Sequence, residues 1–190
     1  MFKDLVLKNR SYRRFYADVR MSDDELTGLI DLARNSASTV NSQALKYIIV
    51  NDDEKKNEVF ESLAWAGLLK DWSGPSESER PSAYIIILCD GTIGKNKQWD
   101  EGIAAQTILL GATEMGYGGC MLGSIDKNRI SRCFDIDTDR YSVDLIVALG
   151  KPKERVKLVE TDGSGSTAYY RDTDDTHCVP KRKLSDIILR

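Results

Sequence analysis

"AYIIILCD", residues 83–90, is apolar almost throughout. A strand with one wet face alternates apolar and polar residues. A β-branched run without alternation, bounded by polar loops, is a strand covered on both faces. Covering both faces requires helices packed on a sheet, so this stretch sets the fold class as α+β or α/β. The next periodic run supplies one of those layers. "DEGIAAQTILLGATEMG", residues 100–116, has helix-forming composition and is apolar nearly all round, which predicts a central buried helix. Its small residues Ala104, Ala105, Gly111 and Ala112 allow close packing against another element.

Working outward, "ALKYIIVND" (44–52) is β-rich and bounded by turn residues, hence a strand. Asp52 or Asp53 then caps a helix through "EKKNEVFESLAWAG" (54–67), and "DWSGPSESERPS" (71–82) reads as a loop. Upstream, Ser22 followed by Glu25 forms a capping box. The helix it opens carries Leu26, Leu29, Ile30 and Ala33 on one side and ends near Asn35, where "NSASTVNSQ" takes over as a polar loop. The first residues show helical spacing at Phe2, Leu5 and Val6.

Downstream, "YGGCMLGSI" (117–125) is a Gly-rich turn or short strand, and Asp126 caps a short helix over "KNRISRCFD". "YSVDLIVALG" (141–150) is another buried strand, stopped by Gly150 and Pro152. Residues 160–177, "ETDGSGSTAYYRDTDDTH", show no periodicity. So long a loop inside a compact domain is disordered, covers a site, or crosses to a partner. The chain ends in "VPKRKLSDIILR", a basic triplet before an apolar stretch. Its length suits one domain, residues 1–190.

With net charge −3, 41% apolar and 30% charged residues, the class is soluble and globular. The chain lacks the broad basic surface that nucleic-acid binders need. No apolar run approaches the roughly 18 residues that span a bilayer, and "MFKDLVLKNR" lacks a signal-peptide core. The expectation is a cytoplasmic protein without nucleic-acid or membrane partners. Cys89, Cys120, Cys133 and Cys178 are too widely spaced for a zinc pattern and read as reduced and packed. No metal site is expected. His177, the only histidine, lies in a polar stretch, so a Cys–His dyad is weak.

The chain has no P-loop, HExxH, GxSxG or kinase signature. Gly116 and Gly118 begin a dinucleotide fingerprint that Met121 breaks. Four stretches remain. "NRSYRRFY" (9–16) gathers Arg10, Arg13 and Arg14 around Ser11, and guanidinium forks with a hydroxyl suit one small anion such as a phosphate. "STVNSQALKYIIV" (38–50) places Asn41 and Gln43 just before a strand, where amides can read the edge of a planar heterocycle. "GYGGCMLGS" (116–124) allows close backbone approach to a flat ligand, and Lys181, Arg182 and Lys183 could meet a phosphate with Arg10. Taken singly, each also fits a plain structural role: a solvated helix end, turn chemistry, a tight connection, a solvated tail.

Taken together and in order, these stretches resemble the nitroreductase family of FMN-dependent oxidoreductases over nearly the whole chain. "RSYRRF" is similar to its Arg-Ser-x-Arg-x-Phe opening, and "STVNSQALKYIIV" to its Ser-x-x-Asn-x-Gln-Pro-Trp segment and following strand. Residues 100–125 resemble its central helix and Gly-rich turn, and "LIVALGKPKE" resembles its "LGxP" strand ending.

The resemblance implies an α+β fold with a central mixed, mostly antiparallel sheet flanked by helices. It implies an intertwined homodimer with FMN at the subunit contact, the helix at 98–116 as interface core, and about 155–190 as an extension onto the partner. It implies hydride transfer from NAD(P)H through FMN to a small-molecule acceptor such as a nitroaromatic or quinone. Alternatives are a specialised flavin, enone or dehalogenating reductase, or a non-catalytic FMN-binding protein. By position, Arg10 and Ser11 match phosphate-binding residues, and Arg13 matches the basic residue near the flavin's pyrimidine edge. Asn41 and Gln43 match residues at the ring's polar edge. Leu122, Gly123 and Ser124 match the turn beside the reactive nitrogen, and Lys181 and Arg182 match a C-terminal phosphate clamp. No catalytic side chain is implied, because the flavin carries the chemistry. The sequence departs from the pattern at Asn9, often basic, at Ala44-Leu45 in place of Pro-Trp, and at "RNSAS" in place of Ala-Pro-Ser. Trp65, Trp72 and Tyr84 are pocket candidates that fit the core better.

Overall fold

The computed structural model describes residues 1–69, 71–94 and 98–189, Gln98 by its backbone alone. The strands are β1 (Phe15–Tyr16), β2 (Leu45–Val50), β3 (Ala83–Asp90), β4 (Gly118–Leu122), β5 (Tyr141–Pro152), β6 (Val156–Glu160), β7 (Tyr170–Arg171) and β8 (His177–Lys181). The helices are α1 (Phe2–Lys8), α2 (Asp23–Arg34), α3 (Asp53–Glu61), α4 (Gln98–Glu114), α5 (Lys127–Cys133) and α6 (Leu184–Ile187).

β3 is buried at every position and sits between β5 and β2 in a five-stranded sheet. β1 and β4 both pair with β5, and all ladders of this sheet are antiparallel. The parallel element is an isolated bridge from Ser11 to Gly119. Period-two alternation divides β3 between two apolar layers. Ala83, Ile85 and Ile87 join Leu26 and Leu29 of α2 and Ala105, Ile108 and Leu109 of α4. Tyr84, Ile86 and Leu88 join Val59 of α3 and Ile130 of α5. A bulge between Ile87 and Leu88 shifts the register against β5, so Val143 faces the same layer as Ile146 and Ala148. Each fully buried Ile of β3 contributes about 1.5–3 kcal/mol of apolar burial. Trp65 and Tyr84 belong to this core, and Trp72 packs against it.

Local chemistry fixes the ends. Ser22 accepts from the Glu25 N–H while the Glu25 carboxylate accepts from the Ser22 N–H, the expected capping box, and α2 stops at Asn35. Asp52 and Asp126 cap α3 and α5. α3 is shorter than its sequence suggests. At Ser62 the hydroxyl donates back to the Glu58 carbonyl, and Leu63 leaves to pair with Ile125. β5 runs through Gly150 to Pro152, because Phe15 packs over Gly150 and β1 pairs there.

Two further expectations change. Helix α4 is buried on one face only. Trp99 and Ile103 on the other face are 77% and 40% exposed. Residues 160–177 are not a featureless loop, since they join strands of a second, three-stranded sheet. In it β6 and β8 are parallel and β7 is antiparallel to β8. No described helix is long and apolar enough to cross a membrane. Cys120, Cys133 and Cys178 are free thiols, and Cys89, Cys120 and Cys178 are buried.

The glycines of "YGGCM" serve packing. A Cβ on Gly119 would stand 2.1 Å from the Ala148 carbonyl oxygen, whereas one on Gly123 would meet nothing within 4 Å. Gly119→Ala is expected to cost more than about 2 kcal/mol in urea unfolding, and Gly123→Ala less than about 0.5 kcal/mol. Equal midpoints would contradict the close contact between β4 and β5.

Candidate functional site

Helix α1 ends at Lys8, and the chain runs on extended toward β1. Arg10 turns back and donates from Nη2 to the Val6 carbonyl at 2.8 Å, a favourable place for a cation at a helix C-terminus. Tyr12 donates its N–H to the Gly119 carbonyl at 3.0 Å, tying the segment to β4. Glu154, whose side chain is 1% exposed, accepts from the N–H groups of both Arg13 and Arg14. Its other oxygen accepts from Arg171 at 2.8 Å.

This anchoring sorts the arginines. Arg14 is bound to Glu79 by two hydrogen bonds of 2.8 Å and also pairs with Asp175. Its charge is satisfied, and it joins the two sheets. The Arg14 hydrogen bonds hold the Glu79 carboxyl at about 2, with help from Lys153. Arg10 and Arg13 pair with no carboxylate among the described residues, and neither does Lys181. Both arginines and Lys181 line a cavity of about 680 Å³, together with Ser11. Its apolar side comes from Phe2, Val6, Leu109, Leu110 and Met121.

Three buried donors or ring nitrogens on residues lining this cavity have no partner: Nδ2 of Asn9, Nε of Arg10 and Nδ1 of His177. Buried polar groups are normally satisfied, so such a cluster fits a ligand rich in acceptors. Unpaired cations beside an apolar wall fit an anionic group attached to a flat apolar body. The volume lies within the roughly 300–1,000 Å³ of cofactor sites. The residues present therefore fit a flavin mononucleotide.

The other expected residues lie elsewhere in the chain. Leu122 is buried in the core beneath the sheet, while its neighbour Met121 faces the cavity. Gly123 and Ser124 are exposed beyond the end of β4, and Arg182 is exposed after β8. None of these four lines the cavity. Gln43 borders a separate cavity of about 120 Å³ with Asp100 and Tyr47, and its amide donates to Asn41 Oδ1 at 3.2 Å. Within one chain, then, Asn41 and Gln43 do not meet Arg10. Their loop is held in an unusual form. Val40, Asn41 and Gln43 all have positive φ, at 48°, 54° and 52°. A β-branched residue rarely adopts that region. Asp100, 2% exposed in the first turn of α4, holds the loop by accepting from the N–H and hydroxyl of Thr39 at 2.8 and 2.7 Å.

Sequence reasoning missed His177 and Tyr169. Both were read as part of a polar loop, yet both line the cavity beside Arg13. The available signal was the apolar run Cys178-Val179-Pro180 directly after His177, which is the start of a strand. Burial pushes the Cys120 thiol up to about 12, which leaves it inert beneath the site.

Arg14→Gln should cost about 1–3 kcal/mol of stability, and Arg10→Gln less than about 1 kcal/mol. The pH sign follows from Glu79. Its carboxyl lies at about 2 in the fold against an ordinary 4.5, so its contribution is whole above 4.5 and is lost as pH falls through about 2. Thermal unfolding of Arg14→Gln should show a smaller loss on acidification than the parent chain. An identical acid limb would contradict this pairing.

A family model described as the nitroreductase family matches residues 6–99 and 81–151. A Bacillus subtilis protein provisionally named an NAD(P)H nitroreductase, YodC, is 26% identical over 177 residues, covering 77% of this chain and 87% of that protein. A provisionally named nitroreductase of Exiguobacterium sibiricum, solved in complex with FMN, superposes with a TM-score of 0.67 at 19% identity, covering 81% of this chain and 89% of that one. A provisionally named NAD(P)H:FMN oxidoreductase of Staphylococcus epidermidis gives a TM-score of 0.71 at 19% identity, covering 100% of this chain and 95% of that one. With the model matched across most of its length, and with a cavity where unpaired arginines meet an apolar wall, the chain belongs to the nitroreductase family.

Proposed function

We propose that this chain is an FMN-dependent oxidoreductase that draws on NADH or NADPH to reduce electrophiles such as nitroaromatics or quinones. The observation that carries the reading is the cavity where Arg10, Arg13 and Lys181 stand without carboxylate partners among the described residues. When bound, FMN would supply two-electron hydride chemistry that no side chain here can perform.

The residues divide the work of holding it. Arg10 and Lys181 neutralise the phosphate, and the Ser11 hydroxyl adds a donor. Arg13 stands where a cation meets the polar edge of the ring and favours negative charge there. Phe2, Val6, Leu110 and Met121 give the ring an apolar surface and keep water from it.

The reading includes a homodimer. Trp99 and Ile103 form an exposed apolar strip on α4, and Phe2 of α1 is 71% exposed. Strips of this kind mark protein contacts. Leu184, Ile187 and Ile188 at the C-terminal end are also exposed, and we read this segment as reaching onto the partner. Pairing two chains would bring the Asn41 and Gln43 loop of one protomer to the cavity of the other. It would also set the exposed residues past β4, Gly123 and Ser124, and Arg182 beside the bound ring and phosphate.

The test is a visible spectrum of purified protein supplied with FMN, before and after anaerobic NADH or NADPH. Flavin bands that bleach and return on adding a nitroaromatic or quinone are expected. Bands that persist would indicate a flavin-binding protein without turnover. A protein that takes up no FMN would overturn the assignment.

A further inference from the structure

His177, the chain's single histidine, lies at the start of β8 with 1% of its surface exposed. Its Nε2 stands 3.4 Å from Nη1 of Arg13. Its ring tilts against that of Tyr169, with centroids 5.0 Å apart. The Arg13 guanidinium lies over the same Tyr169 ring, 5.1 Å from its centroid. These three side chains make one wall of the large cavity. A guanidinium can only donate. The contact therefore needs a bare Nε2, which puts the proton of a neutral ring on Nδ1. That nitrogen is buried without a partner.

We propose that His177 is a positioning residue, which as a neutral imidazole holds Arg13 turned into the cavity and on protonation releases it. The inference rests on reading that cavity as the FMN site and Arg13 as the cation at the polar edge of the ring.

The surroundings favour the neutral form. Arg13 of the N-terminal segment and Arg171 of β7 face the ring as cations, and Glu154 after β5 faces it as an anion. Glu154 is already engaged by Arg171 and by the N–H groups of Arg13 and Arg14. Tyr169 contributes an aromatic face, while the backbone N–H of His177 donates to the Arg155 carbonyl and leaves the ring nitrogens to the cavity side. Burial is the largest influence and pushes the imidazole below its ordinary 6.5. Glu154 opposes this, while Arg13 and Arg171 add to it. Protonation would set a third cation against two guanidinium groups and put N–H against N–H. The sign follows. The unfolded chain takes this proton near 6.5 and the fold resists it. The arrangement is whole above 6.5 and fails as pH falls through the lowered value.

A single histidine allows a direct test, because in tag-free protein one imidazole Hε1 resonance reports its titration. In apoprotein, Arg13→Gln is expected to raise the His177 midpoint, since a neighbouring cation is removed. FMN affinity, read by quenching of flavin fluorescence, is expected to weaken about tenfold in the parent chain as pH drops below the midpoint. That is the scale of one hydrogen bond from a charged group. His177→Gln keeps an acceptor that does not titrate, so it should bind within about threefold of the parent at neutral pH and keep only the shallower acid limb of the FMN phosphate, which takes its second proton at about pH 6. His177→Phe keeps a ring without an acceptor and should bind weakly at every pH. A midpoint unmoved by Arg13→Gln, or an acid limb in His177→Gln as deep as the parent's, would overturn the proposal. Absence of FMN binding at every pH, with the midpoint still moved by Arg13→Gln, would overturn the flavin reading and uphold the coupling of His177 to Arg13.

Discussion

The carboxylate of Glu154 is almost wholly enclosed, and the direction of the N-terminal edge depends on it. It takes the N–H groups of two successive arginines, so their side chains leave an extended backbone on opposite sides. One side leads Arg14 to Glu79 and Asp175. The other leads Arg13 into the cavity. The same carboxylate pairs with Arg171, which brings β7, and with it His177 on β8, against the site. A charge this deeply enclosed is costly unless it is paired and hydrogen-bonded, and here three donors meet it, one of them a guanidinium. Structure and candidate function thus meet at one residue that does not itself line the cavity.

Sorting the cations explains why an acidic chain concentrates arginine at one end. Arg14 is structural. Among the described residues Arg10 and Arg13 meet no carboxylate, and the cavity they line also holds the partnerless Nδ2 of Asn9 and Nδ1 of His177. A fold tolerates unpaired cations and orphaned donors at an apolar wall when something else completes them. The same logic applies to α4. Its inner face closes the core through Ala105, Ile108 and Ala112, while its outer face shows Trp99 and Ile103 to solvent.

Much of the frame was legible in the sequence because it rests on local rules. Unbroken apolarity in β3, the Ser22–Glu25 box and the caps at Asp52 and Asp126 depend on neighbours in the chain. What was hidden depends on distant partners. β1 and β7 are two residues each and carry no period. The bulge in β5 reverses the facing of Val143 through the register of β3. α3 ends early because Leu63 pairs with Ile125 far along the chain. At the site, Arg10, Ser11, Arg13 and Lys181 could be named from residue type and order. Arg14 looked identical to Arg13, and only Glu79, Asp175 and Glu154 separate them. His177 was hidden by the polar residues before it.

The central claim is that the unpaired cations of the cavity take a phosphate carried by a flavin. The measurement is a calorimetric comparison of FMN with riboflavin, which has the same ring and lacks the phosphate. FMN should bind at least about a hundredfold more tightly, as expected for two or more charge-assisted hydrogen bonds. Equal affinity for the two flavins would contradict the account.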